Sequence, residues 1–282
     1  MHLTLSSPRD DGRNSPVAPV GGKAPPQPRA DWAWFLDIDG TLVSIAESPD
    51  HVRVTPSLLG LLSSVSEAAG GALALVSGRT IDAIDRLFMP HRFPAAGQHG
   101  AERRDFSGRM HSHAAMSGHF RKLVDRAHAW AADHPGILVE DKGLSVAVHY
   151  RAAPRLAPAV ARFTRSLARE CAGSLELQHG KMVFEIKPAG RDKGVAVKDF
   201  ALEAPFSGRR PVFIGDDASD EFAFAAINDL DGVSVKVGSG PTCARWRLPG
   251  VNDVLVYLAG IFAPARKPAE LPRGARCRSG LW

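Results

Sequence analysis

Apolar positions along this chain switch between two periods. Residues 32–36, Trp-Ala-Trp-Phe-Leu, form an uninterrupted apolar run of the kind a strand buried on both faces requires. Leu58, Leu61, Leu62 and Val65 then recur at helical spacing, and Thr55-Pro56 ahead of them predicts an N-cap followed by proline in the first turn. The sequence strand-then-helix returns at 72–76 with Ile81, Ile84 and Leu87, and at 211–214 with a helix from about Ser219. It returns again at 233–237 with Val251, Val254, Leu255 and Leu258. This order predicts an α/β, Rossmann-like fold, with parallel strands and crossover helices on both faces.

The stretch 109–188 has another rhythm. Phe120, Leu123, Val124, Ala127 and Trp130 predict a helix, followed by two short strands split by Asp141-Lys142-Gly143. Val160, Phe163 and Leu167 predict a second helix, followed by two strands split by His179-Gly180. A helix–hairpin unit occurring twice inside a βα series indicates an inserted α+β domain of two αββ units. The expected organisation is a core at 31–108 and 189–263, the insertion at 109–188, a Pro-rich flexible tail at 1–30 and a basic tail at 264–282. Within the hairpins, Leu144, Val146, Val148 and Tyr150 point one way and Ser145, Ala147, His149 and Arg151 the other, while Met182, Phe184 and Ile186 oppose Lys181, Val183 and Glu185. The apolar face packs on the two helices, which leaves a charged face for water or for a ligand.

Composition changes the picture little and charge somewhat more. The chain is 44% hydrophobic and 23% charged, an ordinary soluble composition, and no apolar run reaches the roughly 18 residues of a membrane span. Cys171, Cys243 and Cys277 are widely spaced without a CxxC pair, which suits a reduced, cytoplasmic protein without a zinc site. The formal charge is +5, but the two terminal stretches supply it and the middle of the chain is almost neutral, so no nucleic-acid or membrane partner is expected. Oligomeric state is not legible, with a monomer the expected form.

The candidate chemistry stands at predicted strand ends. Asp37-Ile38-Asp39-Gly40-Thr41 follows the first strand, and alternation sends both carboxylates to one side at the edge where α/β sheets hold ligands. Two crowded carboxylates repel unless a cation neutralises them or one keeps its proton. Ser77-Gly78-Arg79 follows the second strand and offers a hydroxyl and backbone N–H groups to a phosphate. Asp192-Lys193-Gly194 opens a helix, and Gly215-Asp216-Asp217-Ala218-Ser219-Asp220 follows another strand with the oxygen donors Mg²⁺ takes.

That ordered set, a DxDGT strand end, a serine, a lysine and a GDDxxD strand end, resembles the haloacid-dehalogenase-like (HAD) phosphohydrolase superfamily over residues 31–260. Gly97-Gln98-His99-Gly100-Ala101-Glu102, Glu140-Asp141-Lys142 with Arg151, and His179-Gly180-Lys181 with Glu185 are further similar to trehalose-6-phosphate phosphatases. The resemblance implies a small-molecule sugar phosphate as substrate and Mg²⁺ as cofactor. Asp37 is then the nucleophile, Asp39 the acid and base, and Ser77 and Lys193 hold phosphoryl oxygens. Asp37, Asp216 and the Asp39 carbonyl hold the metal, with Asp217 or Asp220 ordering a metal-bound water or the lysine. The insertion becomes a cap whose Glu140, Lys142, Arg151, Lys181 and Glu185 meet the sugar, beside Gly78, Arg79, His99 and Gly100 of the core. Sucrose phosphate and glucosyl- or mannosylglycerate phosphate stay open as alternative substrates.

Overall fold

The computed structural model describes residues 24–45, 51–112, 118–171 and 173–263. Residues 1–23 and 264–282 of the two expected tails lie outside the described residues, as does Cys277. The chain forms a strand at Ala33–Leu36 (β1), a helix at Pro56–Ala68 (α1), a strand at Leu73–Val76 (β2) and a helix at Ile81–Phe88 (α2). Three short strands follow at Ala95–Gly97 (β3), Glu102–Arg104 (β4) and Met110–Ser112 (β5). The insertion contributes Gly118–Ala132 (α3), Leu138–Asp141 (β6), Val146–His149 (β7), Ala157–Glu170 (α4), Leu175–Gly180 (β8) and Val183–Pro188 (β9). The series closes with Lys193–Ala201 (α5), Pro211–Gly215 (β10), Asp220–Asp229 (α6), Val233–Val237 (β11), Trp246–Leu248 (β12) and Val251–Ala259 (α7).

Local chemistry starts the helices where the sequence predicts. The Thr55 hydroxyl accepts from the Leu58 amide at 3.2 Å, with Pro56 in the first turn. Asp192 caps α5 by accepting from the Val195 amide at 2.8 Å. For α2 the cap is Thr80, accepting from Ala83 at 3.1 Å, so Ser77 stands before the helix rather than capping it.

The large sheet has the order β12-β11-β10-β1-β2-β3-β4-β5, parallel from β12 to β3 and antiparallel beyond. Leu36 at the end of β1 pairs with Ile214 of β10 on one side and Leu75 of β2 on the other. The residues after these three strands, Asp37, Asp216 and Ser77, therefore leave one edge of the sheet side by side, where the connections diverge and α/β folds bind ligands. Phe35, Phe200 and Phe206 form a buried aromatic group beneath that edge, with Phe35 and Phe206 stacked at 5.4 Å.

The second sheet has the order β6-β7-β9-β8 and is wholly antiparallel. Its apolar face is the predicted one. Val146 and Ile186 pack with Phe120, Leu123, Val124 and Leu167, and Val148 and Phe184 pack with Val160 and Ala161.

The structure departs from the expectation in three places. The second hairpin turns at Lys181-Met182, not at His179-Gly180, because Met182 takes the left-handed conformation at φ 62° and β8 runs on through Gly180. Lys181 is thereby carried to the tip of a turn. Residues 109–112, assigned to the insertion, include β5, which pairs with β4 at the margin of the large sheet. Residues 24–30, assigned to the tail, lie on the body of the protein: Pro28 is buried and the Tyr257 hydroxyl donates to the Pro26 carbonyl at 2.9 Å.

Phe200 is fully buried whereas Leu202 is 83% exposed. Phe200→Ala should lower stability by about 3–5 kcal/mol and Leu202→Ala by no more than about 0.5 kcal/mol in urea unfolding.

Candidate active site

At the shared edge a lysine stands between two acids. Lys193 Nζ donates to Asp37 Oδ1 and to Asp220 Oδ1, each at 2.7 Å, and all three side chains are buried. Burial alone would strip the ammonium of its proton, but Asp220 and Asp37 outweigh it and raise Lys193 well above its ordinary value. Burial and the Asp220 charge push Asp37 well above the usual carboxylate range, against the pull of Lys193. Thr41 donates to the other Asp37 oxygen at 3.3 Å. Asp220 Oδ2 accepts from the Asp216 and Asp217 amides at 2.8 and 2.9 Å, so this acid orders both the lysine and the loop after β10. Asp217 caps the next turn, accepting from the Ser219 amide and hydroxyl at 2.8 and 2.6 Å.

Carboxylate oxygens of Asp37, Asp216 and Asp220 lie within 4.8 Å of one another. Gly40 is what allows this approach. Its φ is +87°, and a Cβ there would fall 2.3 Å from the Asp216 carboxylate. Asp39 points to a separate cation, gripped by Arg79 through Nε at 2.7 Å and Nη2 at 2.8 Å. The expected repulsion between Asp37 and Asp39 is thus absorbed by two different cations. Ser77 is buried beside them and accepts from the Arg79 amide at 3.2 Å.

A cleft of about 550 Å³ runs between this edge and the second sheet. Asp37, Asp39, Ser77, Gly78, Arg79, His99, Lys193, Asp216 and Asp217 line it from the large sheet's side, and Glu140, Lys142, Arg151, Lys181 and Glu185 from the insertion. Lys181, at its turn, pairs with Asp216 Oδ2. Lys142 Nζ bridges the Gly78 carbonyl at 2.9 Å and Glu185 Oε2 at 3.1 Å. Glu185 also meets His99 Nε2 at 3.2 Å and the Ser145 hydroxyl at 2.6 Å. Burial would raise Glu185, but Lys142 and His99 hold it well below the usual carboxylate range.

The family model described as trehalose-phosphatase matches residues 35–251. The chain belongs to the trehalose-phosphatase family. It is similar to the trehalose-6-phosphate phosphatase of Escherichia coli strain K12, 44% identical over 87% of this chain and 92% of that one. It is similar to a probable trehalose-phosphate phosphatase of Sinorhizobium fredii, 48% identical over 74% of this chain and 78% of that one. The solved structure of a trehalose-6-phosphate phosphatase related protein overlays with TM-score 0.67 at 31% identity, covering 80% of this chain and 95% of the other. The fold is that of the HAD phosphatases, and the chain is an enzyme, a phosphoric monoester hydrolase.

The structure departs from the expected placement at Gly100, Arg151 and Lys181. Gly100 does not line the cleft: its φ is +95° and a Cβ would fall 2.7 Å from the Asp192 carbonyl, so it serves the packing of α5's start. Arg151 and Lys181 are not on the charged sheet face as alternation implied, because β7 ends at His149 and the hairpin turns at Lys181. Two residues were missed. Lys236 of β11, buried and registered opposite Gly215, donates to the Asp216 carbonyl and holds that loop from behind. Gln178 of β8 also lines the cleft. Neither belongs to a strand-end motif, so only the pairing of distant strands could have found them.

Lys193→Met leaves two buried carboxylates facing each other and should cost about 3–5 kcal/mol of stability. Adding Asp220→Asn should recover part of that loss, measured by chemical denaturation of the single and double variants.

Proposed function

We propose that this enzyme hydrolyses trehalose 6-phosphate to trehalose and phosphate, the hydrolytic step that yields trehalose, through an aspartyl-phosphate on Asp37 and with Mg²⁺ as cofactor. The observation that carries the reading is the cleft itself, where strand-end acids and a buried lysine face a sheet surface bearing Glu140, Lys142 and Glu185. Relatives named as trehalose phosphatases support the sugar.

The acids fit a hard cation. The cluster already gathers positive charge, with Lys193 on Asp37 and Lys181 on Asp216, and its donors are all oxygens. Asp220 is fully buried and does not line the cleft, whereas Asp37 and Asp216 do, so Asp37 and Asp216 are the side chains that would hold Mg²⁺, with the Asp39 carbonyl as a further donor. When bound, Mg²⁺ supplies positive charge that favours the ionised form of Asp37 and neutralises the phosphoryl oxygens.

Lys193 and Thr41 fix the Asp37 carboxylate by both oxygens, which orients it for in-line attack. An Asp37 oxygen bonds to phosphorus, the bond from phosphorus to the sugar oxygen breaks, and that oxygen takes a proton from Asp39. Water then attacks phosphorus, gives its proton to Asp39 and releases Asp37. Arg79 grips Asp39 in its carboxylate form, the form that takes a proton from water, and this grip must loosen before Asp39 acts as an acid. Ser77 and Lys193 hold the remaining phosphoryl oxygens.

The insertion acts as a cap. A phosphate-binding edge accepts any monoester, so selectivity comes from charged groups that need hydroxyl partners once water is excluded. Burial would raise Glu140, but the bond from His149 at 3.0 Å and the charge of Lys142 keep it low and ready to accept from a hydroxyl.

Asp37→Asn should lower release of phosphate from trehalose 6-phosphate by roughly 10³-fold or more, and EDTA should abolish it until Mg²⁺ is restored. A panel led by sucrose phosphate or glucosylglycerate phosphate instead would overturn the substrate. Glu140→Ala should lower kcat/KM on trehalose 6-phosphate by about tenfold while p-nitrophenyl phosphate changes less than about twofold. Equal losses on the two esters would remove the cap from recognition.

A further inference from the structure

Gln178 is bound on one side and orphaned on the other. Its amide nitrogen lies 3.3 Å from His99 Nδ1 and 3.4 Å from His99 Nε2, while its Oε1 is buried and has no hydrogen-bond partner among the described residues. Which atom faces which way follows from the neighbours. Glu185 can only accept, so His99 turns its Nε2–H to that carboxylate at 3.2 Å. Burial lowers His99 and keeps the ring neutral, which leaves Nδ1 as an acceptor that calls for the Gln178 NH₂. The amide oxygen is then the buried atom left without a donor among the described residues, on a residue that lines the cleft.

The register places Gln178 among residues already read as facing the sugar. Gln178 pairs with Glu185 across β8 and β9, Glu185 with Ala147 across β9 and β7, and Ala147 with Glu140 across β7 and β6. Paired residues share a face, so Gln178, Glu185 and Glu140 form one row on the cleft side of the second sheet. Gln178 and both glutamates line the cleft. An orphaned buried acceptor is unfavourable unless something donates to it.

The geometry points to Gln178 as a specificity-determining residue whose amide oxygen accepts a hydrogen bond from a hydroxyl of the substrate's sugar. The inference rests on the sugar-phosphate reading above and adds one contact to it. A row made of two carboxylates and an amide oxygen favours hydroxyl donors and disfavours a substrate carrying a carboxylate at that position. Gln178 touches none of the acids at the phosphate end, so its loss bears first on the choice of substrate.

The test is steady-state kinetics of the full chain, wild type beside Gln178→Met, on trehalose 6-phosphate, its monodeoxy analogues and p-nitrophenyl phosphate. Gln178→Met should lose about tenfold or more in kcat/KM on the disaccharide phosphate and less than about twofold on the small ester. One monodeoxy analogue should show the same loss with wild type and no further loss with the variant. Gln178→Asn, which keeps the amide but shortens its reach, serves as the second variant and should lose selectively in the same way. Equal losses on both esters, no loss on either, or losses that add for every analogue would overturn the contact. The wild-type rows test the substrate reading by themselves: failure on trehalose 6-phosphate with turnover of another sugar phosphate overturns that reading, and the ratio of wild type to variant on the ester turned over still decides Gln178.

Discussion

An ammonium group buried between two carboxylates holds the centre of this protein in place. Lys193 sits at the start of one helix, Asp37 at the end of the central strand, and Asp220 at the start of another helix. Removing the lysine leaves two carboxylates without a counter-charge in a low-dielectric interior, where charge is far more expensive than at a surface. Because Asp220 also receives the amides of Asp216 and Asp217, the lysine's position is transmitted to the acid loop. Lys236 holds the same loop through the Asp216 carbonyl. The strand ends are thus locked together by polar bonds above a floor of packed phenylalanines.

The two sheets meet through hydrogen bonds instead of apolar packing. Gln98 and His99 both take left-handed backbone conformations, at φ 49° and 56°, which is unfavourable for residues with side chains. The neighbourhood holds them there. The Gln98 backbone amide donates to the Arg79 carbonyl at 2.8 Å, the His99 amide to the Ser77 carbonyl at 3.0 Å, and Gln98 Oε1 receives the Leu144 amide at 3.2 Å. A turn held this way ties the serine loop to the β6–β7 hairpin, and Lys142 closes the same link through the Gly78 carbonyl. In the proposed reaction, the loop that meets phosphate and the sheet that meets sugar share a few buried bonds, so a change in one is felt by the other.

Much of this was legible in the residues. The alternation of strand and helix, the doubled helix–hairpin unit and its apolar face were readable because a buried face imposes a period that no nearby residue can counterfeit. Asp37, Asp39, Ser77, Lys193 and Asp216 were readable because each stands at a strand end or a helix start with its own local signature. The three-residue strands β3 to β5 were not. Arg103 and Arg104 carry no apolar period, and they are buried with Glu203 and Asp85 brought from elsewhere in the chain to pair with them.

The sequence by itself determined which elements form, their parallel order and the chemical kinds of group at the sheet's edge, since those follow from local spacing. Tertiary structure decided which of those groups meet. It gave Asp39 to Arg79 and Asp37 to Lys193, assigned Asp220 rather than Asp217 to the lysine, carried Lys181 to a turn against Asp216, and set Gln178 in line with Glu185 and Glu140. Such pairings depend on strand register and on loops that bring together residues far apart along the chain, and the one-dimensional pattern holds neither.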